Sequence, residues 1–143
     1  MTTDQQPPQE KAPVGSGETV LLLDDDHFLL DMYSMKFIQK GYAVEGCMST
    51  AEALTALRGG LKPAAVLFDI VMPGEDGFSF LSTLKAEKLA EGAAVIALTN
   101  QSNDGDRAQA EKLGADNYVV KASMIPSEVV DMAMKEISRK RGK

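Results

Sequence analysis

A single cysteine, Cys47, stands in the whole chain, so no disulfide can close within it. The fold must rest on buried apolar surface, and the chain suits a reducing compartment, which makes the expected localisation cytoplasmic. Cys47 falls inside an expected strand and reads as a small buried hydrophobe. No apolar run approaches the roughly 18 to 20 residues that a membrane span requires, and no apolar core follows Met1 as a signal peptide demands. Basic charge is in deficit: 15 Lys and Arg against 21 Asp and Glu leave a net charge of −6. This argues against broad electrostatic binding to nucleic acid or to a membrane surface, and neither is expected as a partner. Glycine is missing where phosphate-cradling folds need it. There is no Gly-x-Gly-x-x-Gly after the first strand and no Gly-rich loop ending in Lys-Ser/Thr. The one histidine, His27, has no second His or Cys to share a metal with, and reads as a solvated residue in a first helical turn.

What remains is an ordinary globular composition, 44% hydrophobic and 25% charged over 143 residues, enough for one domain with a real core. Residues 1–17 carry Gln, Pro, Glu, Lys, Gly and Ser with almost no large apolar group, and read as a disordered tail. Thr19 to Leu23 is a short continuous apolar strand, closed by Asp24-Asp25-Asp26. A helix is expected over 27–40, with Leu29, Leu30, Tyr33 and Phe37 on one face and Gly41 at its end. Strands are expected over 42–48, 64–68, 93–98 and 117–120. Helices are expected over 51–58, from Gly77 onward, from the 103–104 cap to 113, and after a cap at Ser127. The basic end, 139–143, is too short for a nucleic-acid arm and suits the negative end of the last helix. Strand and helix alternate five times. Connections of this length imply right-handed crossovers and a parallel sheet covered on both faces. The expected fold is α/β, a flavodoxin-like doubly wound sheet of five strands in the order 2-1-3-4-5.

The centre of the chain is the run from Ala65 to Gly77. An apolar strand without alternation stops at Asp69, and Met72-Pro73-Gly74 and Asp76-Gly77 then signal turns. A helix starting near Gly77 is too distant for Asp69 to cap. In a parallel sheet the carboxyl ends of strands one, three, four and five share one edge. That edge therefore gathers Asp24, Asp25, Asp69, Thr99 and Lys121. Two carboxylates about 4 Å apart repel by about 4 kcal/mol at an effective dielectric near 20. Three in one cleft call for a proton or a cation, and oxygen-only donors suit a hard ion such as Mg²⁺, or Mn²⁺. Lys121 adds positive charge and Thr99 a hydroxyl donor. The set reads as a phosphoryl-transfer site with an acid as nucleophile.

Leu22-Leu23-Asp24-Asp25-Asp26, Asp69-Ile70-Val71-Met72-Pro73-Gly74 with Asp76-Gly77, Leu98-Thr99 and Tyr118-Val119-Val120-Lys121 together resemble the receiver domain of two-component response regulators. The resemblance spans about 19–139, with the receiver itself set at 18–140 and a basic end at 141–143. It implies that Asp69 is the phosphoacceptor. Asp25 would bind the metal directly, Asp24 through water, and Val71 through its backbone carbonyl, with Asp69 completing the set. Thr99 and Lys121 would engage the phosphoryl group, and Tyr118 would turn inward or outward with Thr99. The face of the fourth helix, fifth strand and fifth helix would change for a partner. Val71 and Gln101 would tune hydrolysis of the acyl phosphate. The implied donor is a histidine kinase or histidine phosphotransfer protein, the downstream target is a protein, and the state is a monomer or a phosphorylation-dependent dimer. Ala122 departs from the family, which usually has Pro after the lysine; a trans peptide is expected there. Because the sequence closes soon after the fifth helix, a stand-alone receiver is expected, not an enzyme with substrate turnover. Two rivals differ in class. An Asp-nucleophile phosphohydrolase wants a second Asp where Val71 stands, and a cap insertion. A binding module that ignores phosphate would leave the acid set without a task.

Overall fold

The computed structural model describes residues 17–100 and 103–142. The expected tail before Gly17, the tuning position Gln101, and Lys143 lie outside the described residues. The main sheet is built from β1 (Thr19–Leu23), β2 (Ala43–Cys47), β3 (Ala65–Asp69), β4 (Ala94–Thr99) and β5 (Asn117–Val120). Every pairing in it is parallel, and the order is β2-β1-β3-β4-β5. This is the expected flavodoxin-like order. The helices are α1 (His27–Gln39), α2 (Thr50–Arg58), α3 (Gly77–Ala86), α4 (Asp104–Lys112) and α5 (Pro126–Gly142).

Adjacent residues of one strand feed opposite cores, as the pleat requires. Val20 and Leu22 join Tyr33, Phe37, Val129 and Ile137 beneath α1 and α5. Leu21 and Leu23 join Leu57, Phe80, Leu84 and Ala110 beneath α2, α3 and α4. A strand covered on both faces cannot alternate apolar with polar, so β3 and β4 read as unbroken apolar runs and are buried throughout. Each large side chain removed from water contributes about 1.5–3 kcal/mol. β2 is the contrast. It is an edge strand, largely exposed, and it carries Glu45 and Gly46, features that discourage edge-to-edge pairing.

The helix starts follow from side-chain caps. Asp26 accepts from the Phe28 and Leu29 amides, Ser49 from Glu52, Asp76 from Phe78, and Asn103 from Asp106. The last helix departs from expectation. It begins at Pro126, whose missing N–H costs nothing in a first turn, and Glu128 Oε1 accepts the Ile125 N–H at 3.1 Å. Ser127 therefore lies inside the helix. β3 also runs one residue further than expected and takes in Asp69. Two short features went unread in the sequence: an antiparallel ribbon of Val71–Met72 with Glu75–Asp76, and a 3₁₀ turn, Lys121–Ser123. No cis peptide occurs among the described residues, so the Lys121–Ala122 bond is trans as expected.

The basic end is tied down. Lys140 pairs with Asp116 at 3.3 Å, Arg139 with Glu136 at 3.3 Å, and Arg141 with Glu18. Among the described residues no helix is long and apolar enough to cross a membrane.

Candidate functional site

The register of the sheet decides which side chains meet. Leu23 pairs with Phe68 and Asp69 with Leu98, so the chain after β1 and the last residue of β3 emerge at one edge. Asp24, Asp25 and Asp69 each place a carboxylate oxygen there, and these atoms all lie within 4.8 Å of one another. Asp24 and Asp69 are 1% and 2% exposed, whereas Asp25 is half-buried at the mouth. β5 delivers Lys121, whose Nζ stands 2.7 Å from Asp24 Oδ2 and donates to Asp69 Oδ2 at 3.1 Å.

The remaining oxygens are held from the backbone. Asp24 Oδ1 accepts the Asp26 N–H at 2.9 Å, and Asp69 Oδ1 accepts the Val71 N–H at 3.1 Å. Asp24 Oδ2 is different. It is buried without an aligned hydrogen bond; the Lys121 ammonium is close enough for an ion pair but lies off the hydrogen-bonding direction. A buried carboxylate oxygen left in this condition is costly unless positive charge answers it. With an all-oxygen donor set, the residues present fit a hard divalent cation.

Charge and burial compete at the two central groups. Burial raises the Asp69 carboxyl above its ordinary pKa; Lys121 opposes this, Asp24 adds to it, and the balance stays upward. Burial alone would lower Lys121, but its contacts with Asp24 and Asp69 prevail and hold the ammonium above its ordinary value.

Thr99 ends β4, one residue past the partner of Asp69, and is buried. With Val71, Asn100, Asn103 and Asp106 it lines a cavity of about 290 Å³ beside the acids. Tyr118 is buried on the α4 side, with its hydroxyl 3.5 Å from the Asn103 carbonyl. The Val71 side chain faces outward, 66% exposed. His27 is exposed and stands 3.8 Å from the Asp31 carboxylate, as expected of a first-turn residue.

Three further residues serve this region in ways the sequence does not show. Glu75 accepts the Thr50 N–H and so ties the ribbon after Asp69 to the start of α2. Gly77 donates to the Ile70 carbonyl at 2.8 Å. A Cβ there would stand 2.6 Å from the Asp69 carbonyl oxygen and from Ile70 Cα, so only glycine lets the chain fold back this tightly. The Asp-Gly pair signalled a turn but not that approach. Arg107 lies over the Tyr118 ring, 4.5 Å from its centroid; nothing in the sequence points from one to the other.

With this geometry in view, the comparisons agree with one another. Residues 20–134 match the response regulator receiver domain, and the chain belongs to that family. The phosphate regulon transcriptional regulatory protein PhoB of Pseudomonas aeruginosa is 29% identical over 126 residues, covering 88% of this chain and 54% of that protein. The chain spans about half the length of the curated relatives it matches. Among solved structures, a CheY-like response regulator receiver domain protein from Methanospirillum hungatei superposes with a TM-score of 0.79 at 26% identity, over 89% of this chain and 98% of that one. A response regulator from Burkholderia pseudomallei, solved with a phosphorylated aspartic acid, a calcium ion and citrate, has a TM-score of 0.73 at 26% identity, over 87% of this chain and 71% of that one. Receiver domains are signalling modules that bind Mg²⁺ at an aspartate cluster, and Asp24, Asp25 and Asp69 form such a group here.

Proposed function

We propose that this chain is a phosphorylation-controlled receiver that accepts a phosphoryl group on Asp69 from a phosphohistidine donor. One observation carries the reading: three carboxylates converge within 4.8 Å, and a lysine from the far side of the sheet reaches two of them. The relative solved with a phosphorylated aspartate and a bound cation supports it. An Asp69 carboxylate oxygen attacks phosphorus. The P–N bond to the donor imidazole breaks, the nitrogen keeps the electron pair, and an acyl phosphate forms. Lys121 answers the charge of the incoming oxygens, and Thr99 supplies a hydroxyl donor. Asp25, Asp24, Asp69 and the Val71 carbonyl would hold a Mg²⁺ or Mn²⁺ ion, which screens the negative charges that the acid and the phosphoryl group bring together. The return step is hydrolysis: water attacks phosphorus, the P–O bond to Asp69 breaks with its electron pair left on the carboxylate, and inorganic phosphate is released. Val71 and Gln101 are the positions assigned to tuning it.

The donor is a histidine kinase or a histidine phosphotransfer protein. Signalling runs through the face of α4, β5 and α5, to a protein target or to a second phosphorylated copy. The domain assigned to this work is 18–140. The chain's acidic balance supports a domain that does not itself touch nucleic acid, whereas the Pseudomonas relative, of which the match covers 54%, is a transcriptional regulatory protein. The test is incubation with acetyl phosphate and Mg²⁺ followed by intact mass. One added phosphoryl group is expected, absent with EDTA and absent in Asp69→Asn. An unmodified wild-type chain would overturn the reading.

A further inference from the structure

α4 is the helix least anchored by apolar burial. Its sequence, Asp-Gly-Asp-Arg-Ala-Gln-Ala-Glu-Lys, buries only Ala110. Its first turn is held to the sheet by polar contacts with one side chain, Tyr118. The Tyr118 hydroxyl meets the carbonyl of Asn103, the residue that caps α4. The Arg107 guanidinium lies over the ring face at 4.5 Å, within the range of a cation–π contact. Among the described residues no carboxylate stands at ion-pair distance from Arg107, so the ring is its identified partner. Thr99 and Asn103, the cap residue that the Tyr118 hydroxyl meets, line the same cavity, with Val71, Asn100 and Asp106.

We propose that Arg107 is a positioning residue for the switch and that the inward Tyr118 ring goes with the arrangement in which Thr99 engages the phosphoryl group: stacked on Tyr118, Arg107 holds the ring in its buried place beneath α4 and so favours that arrangement. This rests on the function proposed above. Turning Tyr118 outward must break both the stack and the hydroxyl contact. Arg107 therefore weights the population toward the buried ring. A residue that favours one state raises the affinity of whatever that state binds better, by linkage. The effect is confined to the phosphoryl end of the cycle, because Arg107 does not touch the acids that would hold the cation.

The test is a beryllofluoride titration in Mg²⁺, followed by amide shifts, on the full chain and on Arg107→Gln, Arg107→Lys, Tyr118→Leu and the Arg107→Gln/Tyr118→Leu double variant. Arg107→Gln is expected to weaken beryllofluoride binding about three- to tenfold while leaving Mg²⁺ affinity unchanged, and Arg107→Lys to recover part of the loss. In the Tyr118→Leu background, Arg107→Gln is expected to change nothing further. Equal affinity in wild type and Arg107→Gln, or the same loss with and without Tyr118, overturns the proposal. A merely structural role would lower the urea midpoint without moving the affinity. A wild-type chain that gives no Mg²⁺-dependent response overturns the proposed function itself, an outcome readable before any variant is made.

Discussion

Lys121 Nζ stands 2.7 Å from Asp24 Oδ2, each side chain almost wholly buried. The lysine thus spends its charge on two acids from different strands, with Asp69 the second at 3.1 Å. Removing it leaves buried carboxylates without compensation. Lys121→Met is expected to lose about 3 kcal/mol of stability at neutral pH in EDTA, with Mg²⁺ restoring part of it. Urea unfolding with and without Mg²⁺ measures this. Unchanged stability in EDTA would mean that the pair contributes nothing.

Asp25 separates repulsion from ligation. It adds negative charge to the cluster, yet no ion pair with Lys121 is formed. Asp25→Asn is expected to be more stable than wild type by about 1 kcal/mol in EDTA, because a like charge is gone. At saturating Mg²⁺ the order reverses, since wild type gains about 2.7 kcal/mol at a hundredfold excess over its dissociation constant and the variant gains less. Parallel melting curves in the two buffers decide it. A variant less stable in both would place Asp25 outside the repulsive cluster.

Much of this arrangement was legible because it follows from burial. Unbroken apolar runs such as Ala65–Phe68 announce strands covered on both faces, and each ends at a polar residue that is then forced to the same edge. The gathering of Asp24, Asp25, Asp69 and Lys121 was therefore readable from strand ends alone. The ribbon after Asp69 was not, because two-residue strands leave no periodicity. The start of α5 was misplaced because Ser127 is a favoured cap residue, yet Pro126 opens the helix two residues earlier, with Glu128 accepting the Ile125 N–H. Arg107 on Tyr118 was hidden for another reason: it depends on how α4 lies across β5, which no local pattern encodes.

Val71 presents an apolar side chain at the mouth of the pocket, 66% exposed, and gives an incoming water no hydrogen-bonding guide. Val71→Asn is expected to shorten the half-life of the acyl phosphate about fivefold, the worth of one modest hydrogen bond. Loss of phosphoryl group from the purified phosphoprotein, followed by intact mass, measures it. An unchanged half-life would remove Val71 from any tuning role.

Cys47 supplies a check on the fold that is independent of the site. Burial, with Glu45 and Glu52 nearby, pushes its thiol up to about 12. The unfolded thiol ionises near pH 8.5, so the unfolded chain releases this proton first. Cys47 therefore costs no stability below that pH, and its contribution is lost progressively as pH rises toward 12. At pH 8 the native protein is expected to react with a disulfide reagent at least about a hundredfold more slowly than in urea. Equal rates would show that the edge strand β2 does not shield it.

The most direct test of the whole account locates the modification. After treatment with acetyl phosphate and Mg²⁺, borohydride reduction converts an aspartyl phosphate to homoserine, and peptide mass spectrometry then reads its position. The expected result is homoserine at position 69 alone, dependent on Mg²⁺. Homoserine at Asp24 or Asp25, or none at all, would contradict the assignment of Asp69 as the acceptor.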